Sequence, residues 1–274
     1  MHSLKNLTVL VTGAGRGIGK RLAIGFAAKG ARVGLLARSK AELDLCHLEI
    51  EHAGGAALRI RADVSDYEQV CAAVERVRIH FNSNVQALVC AAAIQGPVGP
   101  FATTSPKSWT ELVQTNFAGV MNSCRAVLPQ MIERRSGKII VLTCAGASSA
   151  RPDFAIYAAT KSAVARFVEC VAEEVSQHNV QINCMSPGAT YTHMTDQVLA
   201  AGERAGWREI EEAQETRVTG GIPPERQTEL AWFLASEQSN HITGRMIYVQ
   251  DDWKRLKNGT INPELYTLRR VQKV

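Results

Sequence analysis

The sequence predicts an α/β fold, a doubly wound parallel sheet of about seven strands in a single domain, and three observations predict it. Apolar runs rich in β-branched residues alternate along the chain with stretches of helical period, the pattern of strands joined by crossover helices. One such run, RVGLLA at 32–37, is continuously apolar, as strands buried on both faces are. The first run ends in a glycine-spaced loop that leads into a helical pattern, residues 7–19 reading LTVLVTGAGRGIG. At 274 residues, 46% hydrophobic and 21% charged, the chain has the composition of a globule with a large core.

Taken in order, the loop after the first strand places Gly13, Gly15, Gly17 and Gly19 around Arg16 and Ile18. A strand, a glycine loop and a helix together aim backbone N–H groups and the positive end of a helix dipole at one spot, which suits a phosphate. The spacing is T-G-x-x-x-G-x-G; the general dinucleotide pattern G-x-G-x-x-G would need its third glycine at Ile18. Residues 20–29 read as an amphipathic helix stopped by Gly30. The strand at 32–37 ends where an acidic residue would bond the ribose 2′-OH of NAD, and that place holds Ala37 and Arg38. Arg16 and Arg38 together offer two guanidiniums to the 2′-phosphate that NADPH carries, so NADP(H) is expected over NAD(H).

Capping boxes at Ser39/Glu42 and Ser65/Glu68 open helices to about 52 and 81, and a strand at 57–62 between them ends in Asp63 and Val64. A fourth strand at 86–92 runs into Cys90-Ala91-Ala92-Ala93. A long helix is expected over 109–134 with Asn116 inside it, where an asparagine needs a side-chain partner. After a fifth strand at 138–143, a helix to about 178 carries Tyr157 and Lys161 four residues apart, hence on one face. Bringing a tyrosine from near 10 toward 7 takes about 4 kcal/mol of phenolate stabilisation, which a nearby lysine and a positive nicotinamide supply. Val164, Val168, Val171 and Val175 form an apolar stripe on that helix. A sixth strand at 180–185 leads to Pro187, Gly188, Thr190 and Thr192. Residues 193–220, polar and weakly helical with Trp207 as the one large anchor, read as a substrate lid. A helix at 225–236 and a strand at 246–250 complete a domain of residues 1–252, followed by a basic tail at 253–274.

Composition excludes several classes. The seven cysteines are scattered without a C-x-x-C pair and the seven histidines lack ligand spacing, so disulfides and a metal site are not expected. The net charge of +5 resides in the tail, where Lys254, Arg255, Lys257, Arg269, Arg270 and Lys273 outweigh Glu264, so nucleic acid is not an expected partner. No apolar run approaches the roughly 18 residues of a membrane span. A first strand beginning by Leu7 leaves no room for a signal peptide, and a cytoplasmic protein is expected.

The glycine loop, Asn116-Phe-Ala-Gly119, Tyr157-x-x-x-Lys161 and Pro187-Gly188 arrive in order, and over residues 7 to about 250 the chain resembles the short-chain dehydrogenase/reductase family, in particular its 3-oxoacyl-reductase-like members. The resemblance implies a Rossmann-type sheet, adenine held by Asp63 and Val64, and a water held by Asn116 that relays protons to Lys161. It also implies a nicotinamide clamp from Pro187 to Thr192, with backbone near Thr190 and the Thr192 hydroxyl meeting the carboxamide. The helices carrying Asn116 and Tyr157 would pair across a two-fold axis, making a homodimer or homotetramer. Two departures stand out. Cys90 to Ala93 replace the family's N-N-A-G, which removes hydrogen bonds near the cofactor ribose. The family's serine, about thirteen residues before the tyrosine, is replaced by Cys144 or, one position earlier, Thr143; Thr143 is favoured because a thiol is a weak donor.

The expected function is an NADP(H)-dependent interconversion of a carbonyl and a secondary alcohol on a small molecule. Tyr157 would exchange the proton, Lys161 hold the ribose and Thr143 orient the oxygen. The rival is an impaired member acting as a nucleotide-binding scaffold or sensor.

Overall fold

The structure, a computed structural model, describes residues 4–257, 259, 262 and 264–269. Its strands are β1 (Thr8–Thr12), β2 (Arg32–Ala37), β3 (Ala56–Arg61), β4 (Ala87–Cys90), β5 (Gly137–Leu142), β6 (Val180–Ser186) and β7 (Met246–Tyr248). They form one sheet in the order β3-β2-β1-β4-β5-β6-β7, all parallel. The helices are α1 (Gly17–Ala28), α2 (Lys40–His52), α3 (Tyr67–Phe81), α4 (Pro106–Val113), α5 (Gly119–Glu133), α6 (Ala155–Val175), α7 (His193–Ala201), α8 (Trp207–Thr219) and α9 (Pro224–Ala235).

Strand alternation sorts the side chains into two cores. Val9 and Val11 of β1 face a layer built from Leu22 and Phe26 of α1, Leu43 and Ile50 of α2, and Leu230 and Leu234 of α9. Leu10 faces the opposite layer, with Val74 and Val77 of α3, Val127 and Met131 of α5, and Val164 and Val168 of α6. The valine stripe of α6 lies wholly inside this second core, so it is internal packing, and any contact between subunits has to use other positions of the helix. A third, smaller cluster joins Leu112, Phe154 and Tyr157 to Val198, Ala205 and Ala213, seating α7 and α8 over the carboxyl ends of the strands.

Several boundaries differ from expectation for identifiable reasons. Helix α1 starts at Gly17, so the end of the glycine loop, Gly17 to Gly19, is itself the first helical turn. Asp66 caps α3 through its bond from Gln69 N, while Ser65 bonds Asp63. Ser39 caps α2, but Glu42 turns its carboxylate to Arg16, leaving the box half formed. The long helix at 109–134 is two α-helices joined by a π-helical turn at Gln114–Ala118. Trp207 is 69% exposed and anchors nothing; Ala213 supplies that contact from the next turns of α8. The basic tail returns to its own chain. Trp253 is buried and stacks on Phe233 at 5.4 Å, and Leu268 and Arg269 bond Glu169. The rest of the tail lies outside the described residues. Among the described residues no helix is long and apolar enough to cross a membrane, and no group of His, Cys, Asp or Glu is arranged to hold a metal.

Lys138 of β5 is buried, its ammonium donating to Ser239 Oγ at 3.1 Å and Asn240 Oδ1 at 2.7 Å. Burial pulls its pKa from 10.5 down to about 7, with Glu237 opposing. The unfolded chain therefore binds more protons between those pH values, and this residue makes stability rise with pH across that window. Urea denaturation at pH 7 and pH 9 is expected to show the wild type gaining about 2 kcal/mol relative to Lys138→Met. A constant difference between the two proteins contradicts it.

Candidate active site

From β1 the chain runs outward to β2 and from β4 outward to β5, and at the carboxyl ends of these central strands the diverging connections leave a crevice. The cavity there measures about 850 Å³, near the top of the range of roughly 300–1,000 Å³ for small-molecule sites. Its floor exists because two glycines lack side chains: a Cβ on Gly13 would stand 2.6 Å from Ala92 N, and one on Gly19 would stand 2.2 Å from the Gly13 oxygen. The Thr12 hydroxyl locks the approach by accepting the N–H groups of Ala91 and Ala92 at 3.2 and 3.3 Å. No side chain caps α1, and its first turn carries no acidic residue, whereas Ser39 and Asp66 cap α2 and α3. Gly15, Gly17, Ile18 and Gly19 line the cavity around that helix start, an arrangement that fits a pyrophosphate.

At the outer rim, Arg16 Nη1 lies 3.3 Å from Glu42 Oε1 and Arg38 Nη1 lies 3.7 Å from Asp63 Oδ2. Such part-exposed pairs are worth at most about 1 kcal/mol each, so both guanidiniums can turn to a phosphate. Asp63 Oδ1 also accepts from Ser65 N and Oγ, holding the turn that presents Val64. Opposite, Pro187, Gly188, Thr190 and Thr192 line the cavity. Gln227 of α9, fully buried, donates to Pro187 O at 2.9 Å and Thr190 Oγ1 at 2.6 Å. Thr192 forms a capping box with Thr195 at the start of α7.

At the inner end, the first turns of α6 bring Tyr157 and Lys161 together, with Lys161 Nζ 5.7 Å from the tyrosine ring centroid. That ammonium donates to Leu142 O at 2.9 Å. Thr143 and Cys144 both line the cavity; Thr143 Oγ1 is buried without a hydrogen-bond partner, while the Cys144 thiol acts electrostatically on Tyr157, Lys161 and Arg151. Burial raises the Tyr157 phenol well above its usual range, Cys144 adds to this, and Arg151 opposes it. Burial lowers Lys161. The sequence reading expected Lys161 to bring the phenol down; in the chain by itself the opposing cation is Arg151.

The family model for short chain dehydrogenases matches residues 7–202. The chain belongs to that family. It is 33% identical over 249 residues to a gluconate 5-dehydrogenase of Gluconobacter oxydans (strain 621H), covering 91% of this chain and 95% of that one. Two solved structures share its architecture. One is a gluconate 5-dehydrogenase from Burkholderia cenocepacia J2315 in complex with NADP and tartrate, at TM-score 0.79 and 29% identity, covering 90% of this chain and 94% of the other. The second is a 3-oxoacyl-[acyl-carrier protein] reductase with bound NAD from Brucella melitensis, at TM-score 0.76 and 29% identity, covering 90% of each chain.

In this short-chain dehydrogenase most of the residues singled out from the sequence converge on one cavity, from Gly13 and Arg38 through Asp63 and Val64 to Tyr157, Lys161 and Thr192. Two lie elsewhere. Cys90, expected beside the cofactor, is 3% exposed and turned into the sheet core with Cys124 and Cys184, because the strand's alternation points it away from the crevice. Asn116 is fully buried behind the cavity wall, Oδ1 accepting from Ile94 N at 2.8 Å and Nδ2 donating to Ile94 O at 2.9 Å. The π-helical turn sets it there, bracing the segment after β4. Gln227, Arg151 and Glu209 went unnoticed in the sequence. Only Gln227 left a trace, a polar residue on an otherwise apolar helix face.

Asn116→Ala leaves both main-chain groups of Ile94 without their side-chain partner and is expected to lower the unfolding free energy by about 2 kcal/mol in urea. Asn116→Asp, which keeps the acceptor but sets a carboxylate oxygen against the Ile94 carbonyl in a fully buried place, should lose more at pH 7. Equal losses would show that the brace is not the hydrogen-bonded pair.

Proposed function

We propose that this short-chain dehydrogenase interconverts a carbonyl and a secondary alcohol on a small molecule with NADP(H). One observation carries the reading: Tyr157 and Lys161 line the same cavity as an uncapped helix start floored by close-packed glycines. In this reading Gly13, Gly17, Ile18 and Gly19 hold the pyrophosphate, Asp63 and Val64 the adenine, and Arg16 and Arg38 the 2′-phosphate. Pro187, Gly188, Thr190 and Thr192 hold the nicotinamide, which when bound supplies or takes the hydride. Solved relatives carry NADP in one case and NAD in another, so the two arginines decide the preference.

Tyr157 gives its phenolic proton to the developing alkoxide during reduction and takes it back during oxidation. Lys161 holds the ribose and favours phenolate, which offsets part of the burial penalty. The unpartnered Thr143 hydroxyl orients the substrate oxygen, and Cys144 flanks it. Residues 193–219 form the lid. The segment leaves and rejoins the body at one place, where Thr190 bridges Gly221, Tyr191 N bonds Gly220 O and Ile222 N bonds Ala189 O. The active form is a homodimer or homotetramer acting in the cytoplasm on a small-molecule partner.

Titration by tryptophan fluorescence is expected to give at least tenfold tighter binding of NADPH than of NADH. Arg16→Ala/Arg38→Ala should erase most of that difference, and equal affinities in the wild type would overturn the NADP assignment. On any ketone that a screen finds turned over, Tyr157→Phe should cost 10²- to 10⁴-fold in kcat, roughly the range of general acid–base catalysis. Tight NADPH binding with no ketone reduced would favour the scaffold. Sedimentation velocity should give a dimer or tetramer; a monomer refutes the assembly.

A further inference from the structure

The cavity holds one ion pair that none of these roles uses. Arg151, on the segment between β5 and α6, meets Glu209 of α8 with both prongs of its guanidinium: Nε to Oε1 at 2.7 Å and Nη2 to Oε2 at 2.6 Å. Both side chains are mostly buried, at 23% and 21% exposure, and both line the cavity. The guanidinium carbon sits 4.1 Å from the Phe154 ring centroid and 5.6 Å from that of Tyr157. The pair therefore joins the lid to the group read above as the proton donor.

We propose that Arg151 is a positioning residue for Tyr157, and that Glu209 of the lid sets how much of the Arg151 charge the phenol feels. The inference rests on the reading of residues 193–219 as a lid and of Tyr157 as the proton-exchanging group. With the pair made, carboxylate and guanidinium present a near-neutral unit, and the buried phenol keeps its proton. With α8 lifted, a full cation stands beside the ring and favours phenolate. Closure thus presents the protonated acid that carbonyl reduction requires.

The other groups around the ring do not couple it to the lid in this way. Lys161 lies on the same helix and bonds Leu142 O, and Cys144 follows β5. His193 of α7 and Glu212 of α8 line the same cavity, but the ion pair with Arg151 belongs to Glu209. From α4 and the segment after β4 the neighbours are apolar, namely Leu112, Ile94 and Val98.

The test needs no substrate. Protein carrying ring-fluorinated tyrosine, whose fluorines make the phenol more acidic and bring the raised Tyr157 midpoint within reach, is titrated by ¹⁹F NMR up to about pH 11, one unit past an ordinary tyrosine, alone and with NADP⁺ added. The Tyr157 signal is identified by its loss in Tyr157→Phe. Glu209→Gln should lower the Tyr157 midpoint by about one unit and Arg151→Gln should raise it by a similar amount. A merely structural role would move both variants the same way or not at all, and either result overturns the proposal. So does a Tyr157 that stays protonated to the end of the titration in Glu209→Gln as in the wild type. If Arg151→Gln does not fold, Glu209→Gln and Glu209→Ala decide alone, both moving down. Failure of the oxidoreductase reading would appear separately, as absent turnover with the order of midpoints intact.

Discussion

The site rests on a steric constraint. The main chain at Gly13 and Gly19 passes the end of β4 and itself at distances that leave no room for a Cβ, and Thr12 fastens that approach with its hydroxyl. Only with this contact does α1 begin close enough to the crevice for its first N–H groups to face the cavity. The parallel sheet then brings the ends of β5 and β6 alongside, and with them the segments that carry Tyr157, Thr143 and the 187–192 turn. Positions far apart in the chain share one cavity because strand ends share one edge.

Electrostatics at the inner end oppose one another. Burial raises the phenol and lowers the ammonium, so it works against the charged form of both Tyr157 and Lys161. The groups that can shift that balance are the ones lining the space: Cys144, Arg151 and, through Arg151, Glu209. The same penalty acts far from the cavity at Lys138, where hydrogen bonds to Ser239 and Asn240 hold an amine that burial has made weakly basic.

The strands and most helices were legible because hydrophobic periodicity and glycine spacing are local signals, and the glycine loop, Tyr157 and Lys161 carried the cavity with them. What escaped was geometric. Cys90 and its neighbours lie within a single strand end, and which of them faces the crevice depends on pleat phase; that phase turned the thiol inward. Asn116 stood out as a mid-helix asparagine in need of a partner, yet the partner, Ile94, becomes visible only once the π-helical turn is known. Trp207 looked like an anchor by size alone, and its helix places it in solvent. Arg151 and Glu209 lie 58 residues apart with no repeat linking them, so nothing short of the fold pairs them.

The bridge between Thr190 and Gly221 has a bearing on how such a chain can diversify. Because 193–219 departs and returns at one pinned pair of backbone segments, its length is decoupled from the register of the sheet. Insertion or exchange there changes loop-closure entropy, about 0.6 kcal/mol for each doubling of length, and leaves both cores as they are. A different substrate-facing cap can therefore be accommodated without refolding the body, provided that the new segment again closes over Phe154 and Tyr157.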